Sequence, residues 1–149
     1  MIGQPVPTTA RLGFPRLTDE NHSITSPASD KYNCIAWAYE LSNKLMWPGY
    51  PQDYYWPSDV TGPDELRTLI QLYLDAGYQE CDNGELEDGF KKVAIYVNEE
   101  GPQHAALQLE SGRWSSKLGI LQDIEHNTLK DLEGEFYGRA VAFLKKQRA

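Results

Sequence analysis

Two residues in this chain pair a reactive side chain with a position that could activate it. Cys34 lies in Tyr32-Asn33-Cys34-Ile35-Ala36-Trp37-Ala38, where Ile35, Ala38, Leu41 and Leu45 begin to recur at helical spacing. A cysteine in the first turn of a helix meets unpaired amides and the positive end of the helix dipole. Both favour the thiolate, which is the nucleophilic form. On that ground Cys34 is expected to react faster than Cys81, the other cysteine. The same position also suits an inert thiol, because free cysteine is among the most buried residue types. His104, one of three histidines with His22 and His126, opens an alternating run directly after Gly101-Pro102. An imidazole there would stand near a sheet edge, within reach of a helix-borne thiol as its base. A structural histidine is the competing reading.

The elements that must position this pair follow from periodicity. Residues 1–28 hold Pro5, Pro7, Pro15 and Pro27 without a sustained period, and read as an extended arm ahead of a single domain over 29–149. A first helix is expected near 31–45, capped by Ser29 or Asp30. A second is expected near 63–76, with Leu66, Leu69, Ile70, Tyr73 and Leu74 as its buried stripe and Gly77 as its C-terminal stop. The period then changes. Strands are expected at 90–98, 103–110, 113–118 and 136–144, with a hairpin turn at Ser111-Gly112 and a short helix near 127–133. Helices first and hairpins later indicate an α+β fold, with N-terminal helices packed on an antiparallel β-sheet.

Composition narrows the function. A chain of 149 residues is long enough for one domain with a sizeable core. Its net charge of −8, with clustered cations only at Lys145-Lys146-Gln147-Arg148, argues against nucleic acid and anionic membrane as partners. No apolar run approaches the roughly 20 residues of a membrane helix, and no signal-peptide pattern opens the chain. A cytoplasmic location is the expectation. Two distant cysteines make neither a disulfide framework nor a zinc cluster. Asp123-Ile-Glu-His126 lacks a second histidine nearby, so no metal is expected there. The acidic stretch Glu80 to Asp88 lacks calcium-loop spacing and reads as a solvated turn. Between the helices, Trp47, Tyr50, Tyr54, Tyr55 and Trp56 form an aromatic loop. It could wall a substrate groove or fill the gap between helices.

Asn33-Cys34 followed by Ile35-Ala36-Trp37-Ala38, and His104-Ala-Ala-Leu-Gln-Leu-Glu-Ser-Gly112-Arg-Trp114, together resemble the papain-like cysteine hydrolase superfamily, especially its NlpC-type and CHAP-type amidohydrolases. The likeness covers about residues 30–118. It implies a papain-like fold, a Cys34 nucleophile, His104 as base and then acid, and Ser116 in the third polar position. Asn33 replaces the usual Asp, and serine brings no charge to orient an imidazolium. The chain also looks like a bacterial family bearing Asn-Cys-Ile-Ala-Trp-Ala and Trp-(Ser/Thr)-Ser-Lys-Leu-Gly signatures, with no established activity. Acyl transfer on an amide, peptide or isopeptide bond is the reaction implied, with no cofactor. Asn33, Trp37, Trp47 and Trp56 would contact the substrate. The alternative is a catalytically inactive binding or immunity module with the aromatic loop as its partner surface. Hairpin register decides Ser116's side: a two-residue loop turns it away from His104, and a loop over 111–113 turns it toward His104.

Overall fold

The computed structural model describes residues 2–48, 54–57, 59–119 and 121–148. Tyr50 of the aromatic loop lies outside them. Its elements in chain order are β1 (His22–Ser26), α1 (Cys34–Ala38), α2 (Glu65–Asp75), β2 (Gln79–Cys81), β3 (Phe90–Asn98), β4 (Gly101–Gln108), β5 (Trp114–Lys117), β6 (Asp123–His126) and β7 (Arg139–Gln147). Short 3-10 turns occupy Thr8–Arg11 and Leu129–Leu132. The strands form one seven-stranded sheet, ordered β1-β6-β5-β4-β3-β7-β2. Every pairing in it is antiparallel.

This architecture overturns the expected papain-like α+β fold of N-terminal helices packed on a sheet. The sheet dominates, and among the described residues two short α-helices accompany it. The first helix, expected over 31–45, ends after one turn at Ala38. Its stop is a Schellman motif: the Glu40 N–H bonds the Trp37 carbonyl and the Leu41 N–H bonds the Ala36 carbonyl, with Glu40 left-handed at φ 67°. The usual glycine signal is missing because a glutamate fills the left-handed position. Asn33 caps the start, its Oδ1 accepting from the Ala36 N–H. The second helix matches its expectation more closely. Asp64 caps it and Leu69, Ile70, Leu72 and Tyr73 are buried.

Two layers cover the sheet. On one face α1, α2 and the segment after α1 pack Ile35, Ala36, Met46, Leu69 and Tyr73 against Val93, Ile95, Ala105 and Leu144. On the other, the N-terminal arm and the Leu129–Leu132 turn bring Val6, Phe14, Leu17 and Leu132 onto Ala94, Tyr96, Ala106, Trp114 and Ile124. The arm also adds to the sheet edge through Gly3 N–H to Ile24 O and Ile24 N–H to Gln4 O, both 2.8 Å. Between β4 and β5, Gln108 pairs with Trp114 and Leu109 N–H bonds Arg113 O. The loop is therefore Glu110-Ser111-Gly112, a register shifted by one residue from the two-residue hairpin and by two from the 111–113 loop, with Gly112 at φ +91°. This register puts Ser116 on the face of His104.

Glu40 supplies a test of the first helix stop. A left-handed residue costs roughly 1–2 kcal/mol unless it is glycine, and a surface ion pair such as that of Glu40 with Lys91 returns less than about 1 kcal/mol. Glu40→Gly should leave the unfolding free energy within about 1 kcal/mol of wild type or raise it. Glu40→Val should cost more than about 1 kcal/mol, because β-branched residues resist positive φ. Denaturant melts that rank the two variants the other way would show that the stop lies elsewhere.

Candidate functional site

Cys34 begins α1, as its sequence position implies, but its thiol is buried in the core on the helix side of the sheet. Sγ lies 4.0 Å from the Gln103 carbonyl oxygen. Burial outweighs the nearby backbone N–H groups and Lys117 and pushes the thiol up to about 11. The helix-start argument therefore loses to desolvation, and the neutral thiol is the stable form at neutral pH.

His104 occupies the opposite face. It stands directly across from Tyr96, whose side chain belongs to the arm-side core. The imidazole stacks on Tyr137 at 4.2 Å with 6° between planes and meets Tyr96 edge-on at 5.2 Å. Its Nε2 is 2.9 Å from Ser116 Oγ, which is 2.8 Å from His126 Nε2, and His126 Nδ1 is 2.9 Å from the Thr128 carbonyl. A carbonyl only accepts, so His126 carries its proton on Nδ1 and its Nε2 takes the Ser116 O–H. Ser116 Oγ then accepts the Nε2–H of His104. His104 Nδ1 is left with a lone pair and no donor among the described residues. Desolvation holds His104 well below the ordinary histidine value and takes His126 down to about 4.

The structure thus joins His104 to Ser116 and separates both from Cys34. His126, which sequence reasoning passed over as part of a weak metal motif, completes the chain of bonds. Strand alternation removes that motif, since Asp123 and His126 project to opposite faces of β6. Among the described residues no group of three metal-ligating side chains gathers.

A second polar cluster lies on the helix side and was invisible in the sequence. Lys117 is fully buried, its Nζ donating to Ser29 O and Gly119 O at 2.8 Å and to Leu121 O at 2.5 Å. Asp123, its cross-strand partner, accepts from Ser26 Oγ and Tyr32 Oη, both at 2.6 Å. These bonds tie the segment between β1 and α1 to the β5–β6 connection.

The residues expected to touch substrate are engaged inside the fold. Asn33 caps α1 and donates Nδ2 to Met46 O at 2.8 Å. The indole N–H groups of Trp37, Trp47 and Trp56 donate to Ser115 Oγ, Glu65 Oε2 and Val60 O. All three rings pack, partly buried, against the helix-side core. Among the described residues of this loop Tyr55 is the exposed aromatic, with Lys44 Nζ 4.6 Å from its ring centroid.

Ser116→Ala should remove both imidazole partners at once. Each buried group left unsatisfied costs about 1–3 kcal/mol, so a loss of roughly 2–4 kcal/mol is expected in denaturant unfolding. A loss under about 1 kcal/mol would show that Ser116 does not hold the two histidines together.

No curated protein and no solved structure matches the chain. The model of the family described as "Domain of unknown function (DUF7689)" matches residues 23–145, a span that holds Cys34, His104, Ser116 and all seven strands except the first residue of β1 and the last two of β7. The chain belongs to this family.

Proposed function

We propose that this chain is a non-catalytic protein-binding module that accepts a cationic segment of its partner. The observation that carries the reading is the separation of Cys34 from His104 by the sheet. An amide or peptide hydrolase working through a Cys–His pair needs the sulfur within hydrogen-bond reach of an imidazole nitrogen. Here the thiol is buried and neutral on one face, while His104 bonds to Ser116 on the other.

The surface that suits a partner lies at the far end of β3 and β7. A cleft of about 910 Å³ is lined there by Val97, Glu99, Glu100, Glu135, Arg139 and Val141, among others. Three carboxylates against one guanidinium make it acidic, in keeping with the chain's net charge of −8. Val97 and exposed Val141 supply apolar contact. Such a mixture fits a lysine- or arginine-bearing peptide segment and repels phosphate backbones and anionic lipid. The cleft is stiff, because Asn98 Nδ2 bonds the Glu135 and Phe136 carbonyls and Gly138 packs where any side chain would strike Val97 O. Both cysteines are free thiols. Free thiols suit a reducing compartment, and on that basis we place the module in the cytoplasm.

Two measurements test this. Under native conditions at neutral pH, iodoacetamide should modify the partly exposed Cys81 before Cys34, and a thiol-directed acyl probe should give no Cys34-dependent labelling. Rapid labelling of Cys34 that disappears in His104→Ala would restore the hydrolase. For the surface, titration with a lysine-rich peptide should shift backbone amides clustered at residues 97–100 and 135–141. The triple substitution Glu99→Lys, Glu100→Lys, Glu135→Lys should weaken that binding by about tenfold or more. Scattered shifts, or binding indifferent to the charge reversal, would rule this surface out.

A further inference from the structure

All three histidines of the chain lie on one face of the sheet, under the N-terminal arm. His22 and His126 are cross-strand partners on β1 and β6, and Ser116 links His126 to His104. All three are buried. His22 and His126 each have hydrogen bonds that only a neutral tautomer satisfies, while His104 donates its Nε2–H to Ser116 Oγ. His22 shows this most directly: its Nδ1 is 2.6 Å from the Thr18 carbonyl and so carries the proton, while its Nε2 accepts the Val6 N–H at 2.9 Å. Val6 is itself buried and belongs to the arm that covers this face. Protonated His22 would set an N–H against the Val6 N–H, turning an attraction into a clash of donors.

We infer that this row of histidines is an acid-sensitive latch that holds the N-terminal arm on the sheet: protonation of His22 breaks its bond to Val6 and frees the arm. The inference does not depend on the function proposed above. The family match begins at residue 23, so His22 and the residues before it, Val6 included, lie outside it. The charged groups around His22 come from several segments: Arg11 from the first 3-10 turn, Asp19 from the turn before β1, Asp131 from the second 3-10 turn, and His126 from β6. Arg11 and Asp19 pair with each other at 2.5 Å, so their effects on His22 largely offset. Arg113 and Asp131 act on His126 in opposite senses, and His104 senses His126. Burial is the largest influence on all three and lowers each of them.

The sign follows. A histidine whose folded value lies below the ordinary value near 6.5 takes up its proton more readily when the arm is free. The latch is therefore fully closed above about pH 6.5 and weakens as the pH falls toward the range where His126 itself titrates, about 4. Opening leaves β1 paired with β6 over His22–Ser26 and leaves the helix-side core intact.

The test compares wild type with His22→Gln by amide hydrogen exchange from about pH 7 to about pH 4.5. Glutamine can accept from Val6 and donate to Thr18 but does not titrate. Wild type should lose protection at Val6, by about tenfold per unit of pKa separation, while β3 and β4 stay protected. His22→Gln should keep the arm protected throughout. Retention of the wild-type arm at low pH, or equal loss in His22→Gln, would overturn the latch. Tautomer-sensitive ¹⁵N imidazole spectra of wild type give a reading that does not need the variant to fold. His22 and His126 should be Nδ1-protonated and His104 Nε2-protonated at neutral pH, and His22 should titrate together with the Val6 amide. A His22 that titrates with the Val6 amide unmoved would also overturn it.

Discussion

The central strands of this sheet are buried on both faces, and most of the molecule's chemistry follows from that. Strands of this kind are usually continuous apolar runs, yet β4, β5 and β6 carry His104, Gln108, Ser115, Ser116, Lys117, Asp123 and His126, all buried. With no solvent-facing side available, each must find its partners inside the protein. His104 Nε2, Ser116 and His126 bond in a chain that leaves His104 Nδ1 without a donor among the described residues, Lys117 finds three carbonyls, and Gln108 donates to Gly84 O. These bonds also fix register. Sliding β5 by one residue would exchange Ser116 with Lys117, leaving an ammonium against the imidazoles and a serine among the carbonyls.

Alternation also decides what the thiol and the imidazole can do to each other. Ala105 and His104 are neighbours in sequence but face opposite layers, and Cys34 joins the layer of Ala105. A cysteine at a helix start and a histidine on a strand offer the residue types a hydrolase dyad needs, but side-chain direction along β4 separates them. Proximity in the fold does not compensate, because the backbone of β4 lies between the two groups.

How much of this was legible depends on whether the signal was local. The 69/70/73 stripe and Gly77 after it marked α2, and the run Val93 to Val97 marked β3. What escaped was set by distant partners. Glu40 ends α1 in a conformation that sequence rules assign to glycine, with its carboxylate held by Lys91 from β3. His22-Ser-Ile-Thr-Ser26 and Asp123-Ile-Glu-His126 read as polar segments, each with one aliphatic residue. They are strands because they pair with each other and because Ile24, Ile124, His22 and His126 are covered by an arm that precedes both in the chain. At the site, the bond between His104 and Ser116 could be anticipated from hairpin parity. The burial of Lys117 could not, since it depends on carbonyls supplied by Ser29, Gly119 and Leu121.

The two faces solve the same burial problem with opposite protonation. Three carbonyl oxygens around Lys117 Nζ need three N–H donors, which only the ammonium provides. Burial lowers the pKa of Lys117, but Asp123 opposes that effect from the neighbouring strand, and the Tyr32 ring lies 5.0 Å from Nζ. The helix side is therefore held by a group that is already protonated, and added acid brings Lys117 no further charge. The arm side is held by three neutral imidazoles, of which His22 and His126 accept a hydrogen bond at Nε2, and every one of the three has a proton still to gain. Acid therefore acts asymmetrically on these buried cations and bases: His22, His126 and His104 can each take up a proton, while the Lys117 ammonium on the other face gains none.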